Sequence, residues 1–206
     1  MLMGAWWRLT TAVAKFWLRM RGLRIGHGVR FLGLPVLSGN LSRISLGRNI
    51  TFASEARSTA LGVRGPCILR TLGPDGHIAI GDDTGASGMA VCSASSVTIG
   101  ARCLIGADVL IFDTDFHNHH AKGRRYSPPD WPRISRPVVI EDDVFIGTRS
   151  IVSKGARIGR GSIIAAGSVV VGTIPAMSIA AGVPAKVIGA VPENPDPEDT
   201  LVLPET

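Results

Sequence analysis

The sequence predicts a mainly β chain, wound as a parallel β-helix of hexapeptide repeats with an N-terminal helix and one protruding loop. The first observation behind this is a period. An aliphatic residue returns every six positions at Ile140, Ile146, Val152, Ile158, Ile164 and Val170, and in a second phase at Ile99, Ile105 and Ile111. The second is a pair of fixed offsets. Gly or Ala often follows the aliphatic, as at Gly100, Gly106, Gly147, Gly159 and Ala165, and a compact or branched residue stands four places after it, as at Cys103, Val109, Val144, Ser150, Ala156, Ser162 and Ser168. Six is neither a helical period nor a simple hairpin period, so each unit reads as a short strand plus a corner. Stacked units place the aliphatics inside and run backbone hydrogen bonds between coils. The third is composition: 206 residues with 45% hydrophobic, 18% charged and 25 Gly suit one folded domain with extensions, and no Gly-x-y period suggests collagen.

The elements follow in chain order. Residues 1–24 are predicted to be an amphipathic helix, because Trp6, Leu9, Val13, Phe16 and Met20 recur at three- and four-residue steps with no Pro, while Arg8, Lys15 and Arg19 lie off that stripe. Two roles are open for it: a cap over the open end of the main domain, or an interfacial helix making peripheral membrane contact through residues 1–22, with Trp6, Trp7 and Trp17 at headgroup level. The β-helix is expected over 25–190. Its earlier copies include Ile25-Gly26-His27-Gly28, Leu46-Gly47-Arg48-Asn49 and Ile80-Gly81-Asp82-Asp83. From Ser38 to Gly76 the period is poor, with insertions around Pro66 and Pro74 that could shape an acceptor pocket. Residues 117–137 break the hexad and read as a loop thrown out of the helix, whose Arg, Tyr, Trp and Pro content suits a site. Residues 191–206 read as a flexible Pro-rich and acidic tail.

The composition also narrows function. Lys and Arg number 22 against 16 Asp and Glu, a net charge of +6 that suits anionic ligands. Aromatics are 5% and the cations are scattered, so nucleic acid is not expected as a partner. Cys67, Cys92 and Cys103 are odd in number and lack CxxC spacing, which fits a reducing cytoplasm, without disulfides or a zinc knuckle. No stretch reads as a membrane span or a cleaved leader.

His117 falls where the series Ile99, Ile105, Ile111 calls for a further inward aliphatic, at the start of the loop. An imidazole can take and return a proton near neutral pH, so His117 is the candidate catalytic base. Asp115 or Asp113 could orient its ring and support the imidazolium.

These residues resemble the hexapeptide-repeat acyltransferases. The repeat over about 25 to 190, the close Ile174-Pro175 with Ala181-Gly182-Val183-Pro184-Ala185-Lys186-Val187-Ile188, and the motif Asp113-Thr114-Asp115-Phe116-His117 are similar to those of bacterial sugar and polysaccharide O-acetyltransferases, relatives of galactoside, maltose and nodulation-factor acetyltransferases. The resemblance implies a left-handed coil, a homotrimer with sites between subunits, and direct transfer from acetyl-CoA as co-substrate. It implies a cofactor site at Gly147, Thr148, Ala165, Ala166 and Lys186; Gly172 and Thr173 stand where relatives often carry Lys, which shifts phosphate contact toward Arg149, Arg160 or Lys186. Ser87, Asn118, His119 and Trp131 are expected to meet the saccharide acceptor. The reaction expected is O-acetylation of a surface or exported polysaccharide precursor, in the cytoplasm or at the inner face of the membrane. An N-acetyltransferase acting on an amino-sugar nucleotide, a noncatalytic scaffold and a zinc hydratase are the alternatives. No metal is expected, because the spacing of His117, His119 and His120 lacks the His-x4-His pair of the zinc enzymes.

Overall fold

A computed structural model describes residues 2–192 of the chain, with side chains from residue 11 onward. The coils lie between two unlike ends. Three parallel sheets form the walls, and successive strands visit them in rotation. The first wall runs from Arg24–Ile25 through Ile44–Leu46, His77–Ile80, Ser96–Ile99, Val138–Ile140 and Arg157–Ile158 to Thr173–Ile174. The second runs from Arg30–Leu32 through Thr51–Ala53, Gly85–Ser87, Leu104–Ile105, Phe145–Ile146 and Ile163–Ile164 to Ser178–Gly182. The third holds Val36–Ser38, Ile68–Thr71, Ala90–Ser93, Leu110–Phe112, Ile151–Val152 and Val169–Val170.

The six-residue aliphatics are the axis of the core. Ile99, Ile105, Ile111, Ile140, Ile146, Val152, Ile158, Ile164 and Val170 are all buried, and so are the compact residues four places on, from Cys103 to Ser168. Register explains both. Ile99 pairs with Ile140 and Ile140 with Ile158, so like side chains stack along the axis and each coil is completed by its neighbours. Backbone bonds run from coil to coil, for example Gly100 N–H to the Ile140 carbonyl at 2.8 Å and Gly106 N–H to that of Ile146 at 2.8 Å. Corners need left-handed backbone, and Asn49, Asp83, Arg102 and Asp143 supply it between the first and second walls at φ of 55–61°. Arg102 and Asp143 are ion-paired across adjacent coils at 2.6 Å.

The region 38–76 keeps the coil despite its poor period. Its extra residues leave at corners, residues 54–67 between the second and third walls and residues 72–76 between the third and the first.

The helix Leu2–Met20 closes one end, but not with Val13, Phe16 and Met20 of the predicted stripe. Thr11 is buried, and its hydroxyl donates to the Phe31 carbonyl and accepts from the Phe31 N–H, both at 3.0 Å. Ala14 and Leu18 join it against the core. Val13, Phe16 and Met20 instead face solvent, 58%, 67% and 75% exposed. Small residues at the contact let the helix lie close on the first coil, where the larger stripe would hold it away. The side chains of Trp6, Trp7 and Leu9 lie outside the described residues. At the other end, Ser178–Gly182 and Ala185–Ala190 form an antiparallel hairpin after Ile174-Pro175. The tail beyond residue 192 lies outside the described residues.

Candidate active site

The loop predicted at 117–137 leaves the stack between the third and first walls, and its neck is sewn shut. Thr114 and Ser135 form an antiparallel bridge, the Asp115 N–H bonds the Ile134 carbonyl at 3.2 Å, and the Arg136 N–H bonds that of Asp113 at 2.8 Å. Ile134, in the short helix Trp131–Ile134, is buried and anchors the returning strand. Phe116 adopts a left-handed backbone at φ 64°, unusual for a bulky residue, and packs at a tilt against Phe112 with ring centres 5.6 Å apart. That turn sends His117 outward. His117 therefore does not occupy the inward slot of the hexad: it is exposed, because the chain has left the coil after Phe112.

The two candidate carboxylates differ in role. Asp113 is fully buried, accepting from Ser93 Oγ at 2.8 Å and from the backbone N–H groups of Ala94 at 2.7 Å and Ser95 at 2.8 Å. Its oxygens are occupied by the preceding coil, so it fixes the base of the loop and does not orient His117. Asp115 does face the loop, but its partners are Lys154 Nζ and His119 Nε2, the latter at 2.5 Å. Partial burial opposes its ionisation, yet the hydrogen bonds and charges of Lys154 and His119 outweigh it and hold the carboxyl below its ordinary range. Lys154 escaped the sequence reading. The signal for it was register: it stands at the same corner one coil above the loop's departure, after Ile151–Val152 as the loop follows Leu110–Phe112.

A carboxylate with a lowered pKa lends its stabilisation in full above the ordinary value near 3.8 and loses it only as pH falls through the lowered value. The neck of the loop should thus keep its amide-exchange protection from neutral pH down to about 4 and lose it below. Asp115→Asn should loosen the neck already at neutral pH, read as severalfold faster tryptic cleavage at Arg124 and Arg125.

The other predicted loop residues serve the loop itself. The Asn118 side chain donates to the Pro128 carbonyl at 2.8 Å and accepts from the Asp130 N–H at 2.9 Å, which leaves its amide engaged within the loop. Trp131 packs over the Gly73 turn of its own chain, where a Cβ on Gly73 would meet the indole at 2.7 Å. It is an anchor. His119 remains exposed beside Asp115, on a cavity of about 310 Å³ shared with His120 and Arg133. Among the described residues no cluster of His, Cys, Asp and Glu is arranged to hold a metal ion.

The predicted cofactor residues gather mostly at one corner, between the second and third walls. The strand registers set Ser87, Gly106, Gly147, Ala165, Ala181 and Lys186 one above another. Gly147 itself is buried, since a Cβ there would lie 2.4 Å from the Ala166 N, so its smallness serves coil packing and the surface is offered by Ala166, Thr148 and Lys186. The Thr148 hydroxyl donates to the Ala107 carbonyl at 2.7 Å. Arg160 does not join them. It stands at the corner between the first and second walls, after Arg157–Ile158, with its N–H on Glu141 at 2.9 Å. Ser87 lies with the cofactor corner, where the insertion 54–67 leaves the coil and the Arg64 N–H reaches Asp108 at 2.9 Å. His117 stands at the opposite edge of the third wall.

Comparison with known proteins agrees with this architecture. Residues 96–111 and 137–171 match the repeat described as "Hexapeptide repeat of succinyl-transferase". A 2,3,4,5-tetrahydropyridine-2,6-dicarboxylate N-acetyltransferase of Staphylococcus aureus is 44% identical over 71 residues, 34% of this chain and 30% of the relative, so the chain spans about a third of the curated relatives it matches. Among solved structures, a mutant of AntD, an N-acyltransferase from Bacillus cereus in complex with dTDP-4-amino-4,6-dideoxyglucose and coenzyme A, superposes with a TM-score of 0.65 at 19% identity, covering 86% of this chain and 89% of that one. A hexapeptide-repeat acetyltransferase from Vibrio cholerae complexed with acetyl coenzyme A gives 0.56 at 21% identity over 85% and 75%. The polySia-specific acetyltransferase NeuO gives 0.51 at 21% identity over 87% and 85%. In repeat and in fold, the chain is a left-handed hexapeptide-repeat β-helix.

Proposed function

We propose that the chain is an acetyl-CoA-dependent O-acetyltransferase acting on a saccharide hydroxyl, with His117 as general base. The observation that carries this reading is the division of the predicted site across the third wall: a column of small residues ending in Lys186 at one edge, and an outward histidine on a sewn-down loop at the other. The column suits a coenzyme arm, because side chains no larger than Thr let a ligand approach the backbone, and the exposed Lys186 offers a cation for phosphate. Acetyl-CoA supplies the acetyl group as a thioester. His117 takes the acceptor proton as the hydroxyl oxygen attacks the thioester carbonyl; the C–O bond forms, the C–S bond breaks, and the imidazolium returns the proton to the departing sulfur. Asp115 and Lys154 position the loop. Ser87 and the insertion 54–67 flank the acceptor.

One chain holds the two halves at separate edges, and a neighbouring subunit can bring His117 of one copy to the column of another. An outward apolar row supports a homotrimer. Leu104, Phe145, Ile163 and Ile179 follow one another along the second wall, with Leu104 61% and Phe145 43% exposed. Phe145→Asp should convert the assembly to monomers in light scattering and abolish transfer, while the isolated coil keeps its circular dichroism.

The reading is tested by following thiol release from acetyl-CoA with a panel of saccharides and nucleotide sugars, then treating the product with mild alkali. Acceptor-dependent release of an alkali-labile acetyl supports it. An acetyl that survives alkali is an amide, which favours the second reading, transfer to an amino-sugar nucleotide such as the one bound to AntD. Absence of turnover by a folded oligomer overturns both.

A further inference from the structure

The outward face of the N-terminal helix has no counterpart in the acetyl-transfer reading. Val13, Phe16, Trp17 and Met20 are each more than half exposed, although the helix is firmly docked through Thr11, Ala14 and Leu18. So large an unpartnered apolar face on a helix whose other side is already satisfied marks an interaction surface. Its charge is as one-sided as its hydropathy. Residues 1–54 hold eight Lys and Arg and no Asp or Glu, the first acid being Glu55. Within the described residues, the ion pairs begin only at Arg43 with Asp75, so the helix cations face no carboxylate.

Beside this face, between helix and first coil, opens a cleft of about 840 Å³ walled by Phe16 and Phe31 and edged by Lys15, Arg19 and Arg30. Burial in the cleft and the neighbouring Arg19 both push the Lys15 ammonium below its ordinary pKa, as expected of cations gathered without an anion. Arg21 lies over the Trp17 ring at 5.7 Å, holding cation and indole at one level.

We infer that this face docks the protein on an anionic phospholipid surface: Val13, Phe16, Trp17 and Met20 enter the boundary between headgroups and acyl chains, and Lys15, Arg19, Arg21 and Arg30 meet lipid phosphates. The observations favour this occupant over others. No helix of the described residues is long and apolar enough to cross a bilayer, so the helix lies on the surface. A second copy of the same face would bring cations against cations. A lipid surface instead offers both the apolar depth and the negative charge, each Lys or Arg near it strengthening binding roughly fivefold.

The experiment is flotation of the full chain with vesicles of phosphatidylcholine alone and of phosphatidylcholine mixed with anionic phosphatidylglycerol, with soluble glycerol phosphate as a competitor. Flotation with anionic vesicles only, weakened by salt and unaffected by millimolar glycerol phosphate, is expected. Phe16→Ser with Trp17→Ser should abolish it, and Lys15→Gln with Arg21→Gln should weaken it by roughly thirtyfold. Both pairs should leave thermal stability and oligomer size unchanged. Equal binding to neutral vesicles, no binding, competition by glycerol phosphate alone, or a change of oligomer size in the Phe16/Trp17 variant would each overturn the inference. The readout does not involve acetyl transfer, so failure here is distinct from failure of the enzymatic reading.

Discussion

Replacing His117 by alanine is expected to lower acetyl transfer by about 10²–10⁴-fold, the usual contribution of a positioned general base, with little change in stability. The structure makes this substitution unusually clean. His117 is exposed, its side chain fills no core position, and only its backbone N–H is engaged, with the Asp115 carbonyl at 2.7 Å. The loss should fall on kcat and kcat/KM alike, because the base acts on a proton that moves only in the transition state. His119→Ala is the informative partner. Its ring is joined to Asp115 at 2.5 Å, so if His119 is the base, its replacement carries the large loss and that of His117 does not. Equal activity of both variants would remove general-base catalysis by this loop from the mechanism.

The second large effect is structural. Asp113→Ala should destabilise the chain by about 3–5 kcal/mol, since it strands buried donors at Ser93 and Ala94, each left unpaired at about 1–3 kcal/mol, and also frees the Ser95 N–H. For a domain of this size that is a fall of roughly 10 °C in Tm. Asp113→Asn keeps one carbonyl oxygen and should fall between the two. Activity should track folding in this series. A variant at Asp113 that melts normally yet transfers poorly would return the residue to the catalytic apparatus, where the motif alone had placed it beside Asp115.

The division between these two aspartates shows how far the motif Asp113-Thr114-Asp115-Phe116-His117 could be read. Spacing marked the loop's departure and picked out its titratable residues. Which oxygen meets which donor depends on coils remote in sequence, Ser93 to Ser95 below and Lys154 above. The same holds for the N-terminal helix. Its periodicity predicted a single apolar stripe, but the helix has apolar residues around more of its circumference, with Ala14 and Leu18 inward and Val13, Phe16, Trp17 and Met20 outward. Period cannot tell which face meets protein. Trp131 and Asn118 carried an aromatic and an amide in a loop, residue types that suit ligands, and the tertiary structure uses them to fasten the loop to Gly73 and Pro128.

The six-residue series determined the fold by itself, because in a solenoid each coil repeats the contacts of the last: one buried aliphatic, one small corner and one compact residue per unit suffice to set wall, register and core. Asn and Asp at the corners and Gly where coils approach closely are local demands that a sequence displays openly. Only the tertiary structure decided the placement of the site. Arg160 and Lys186 are both exposed cations of the C-terminal coils, yet they stand at different corners, and His117 and the Ala165–Ala166 corner lie at opposite edges of one wall. Those separations arise from how many residues each corner takes and where insertions leave the coil, quantities that accumulate along the chain and appear at no single residue.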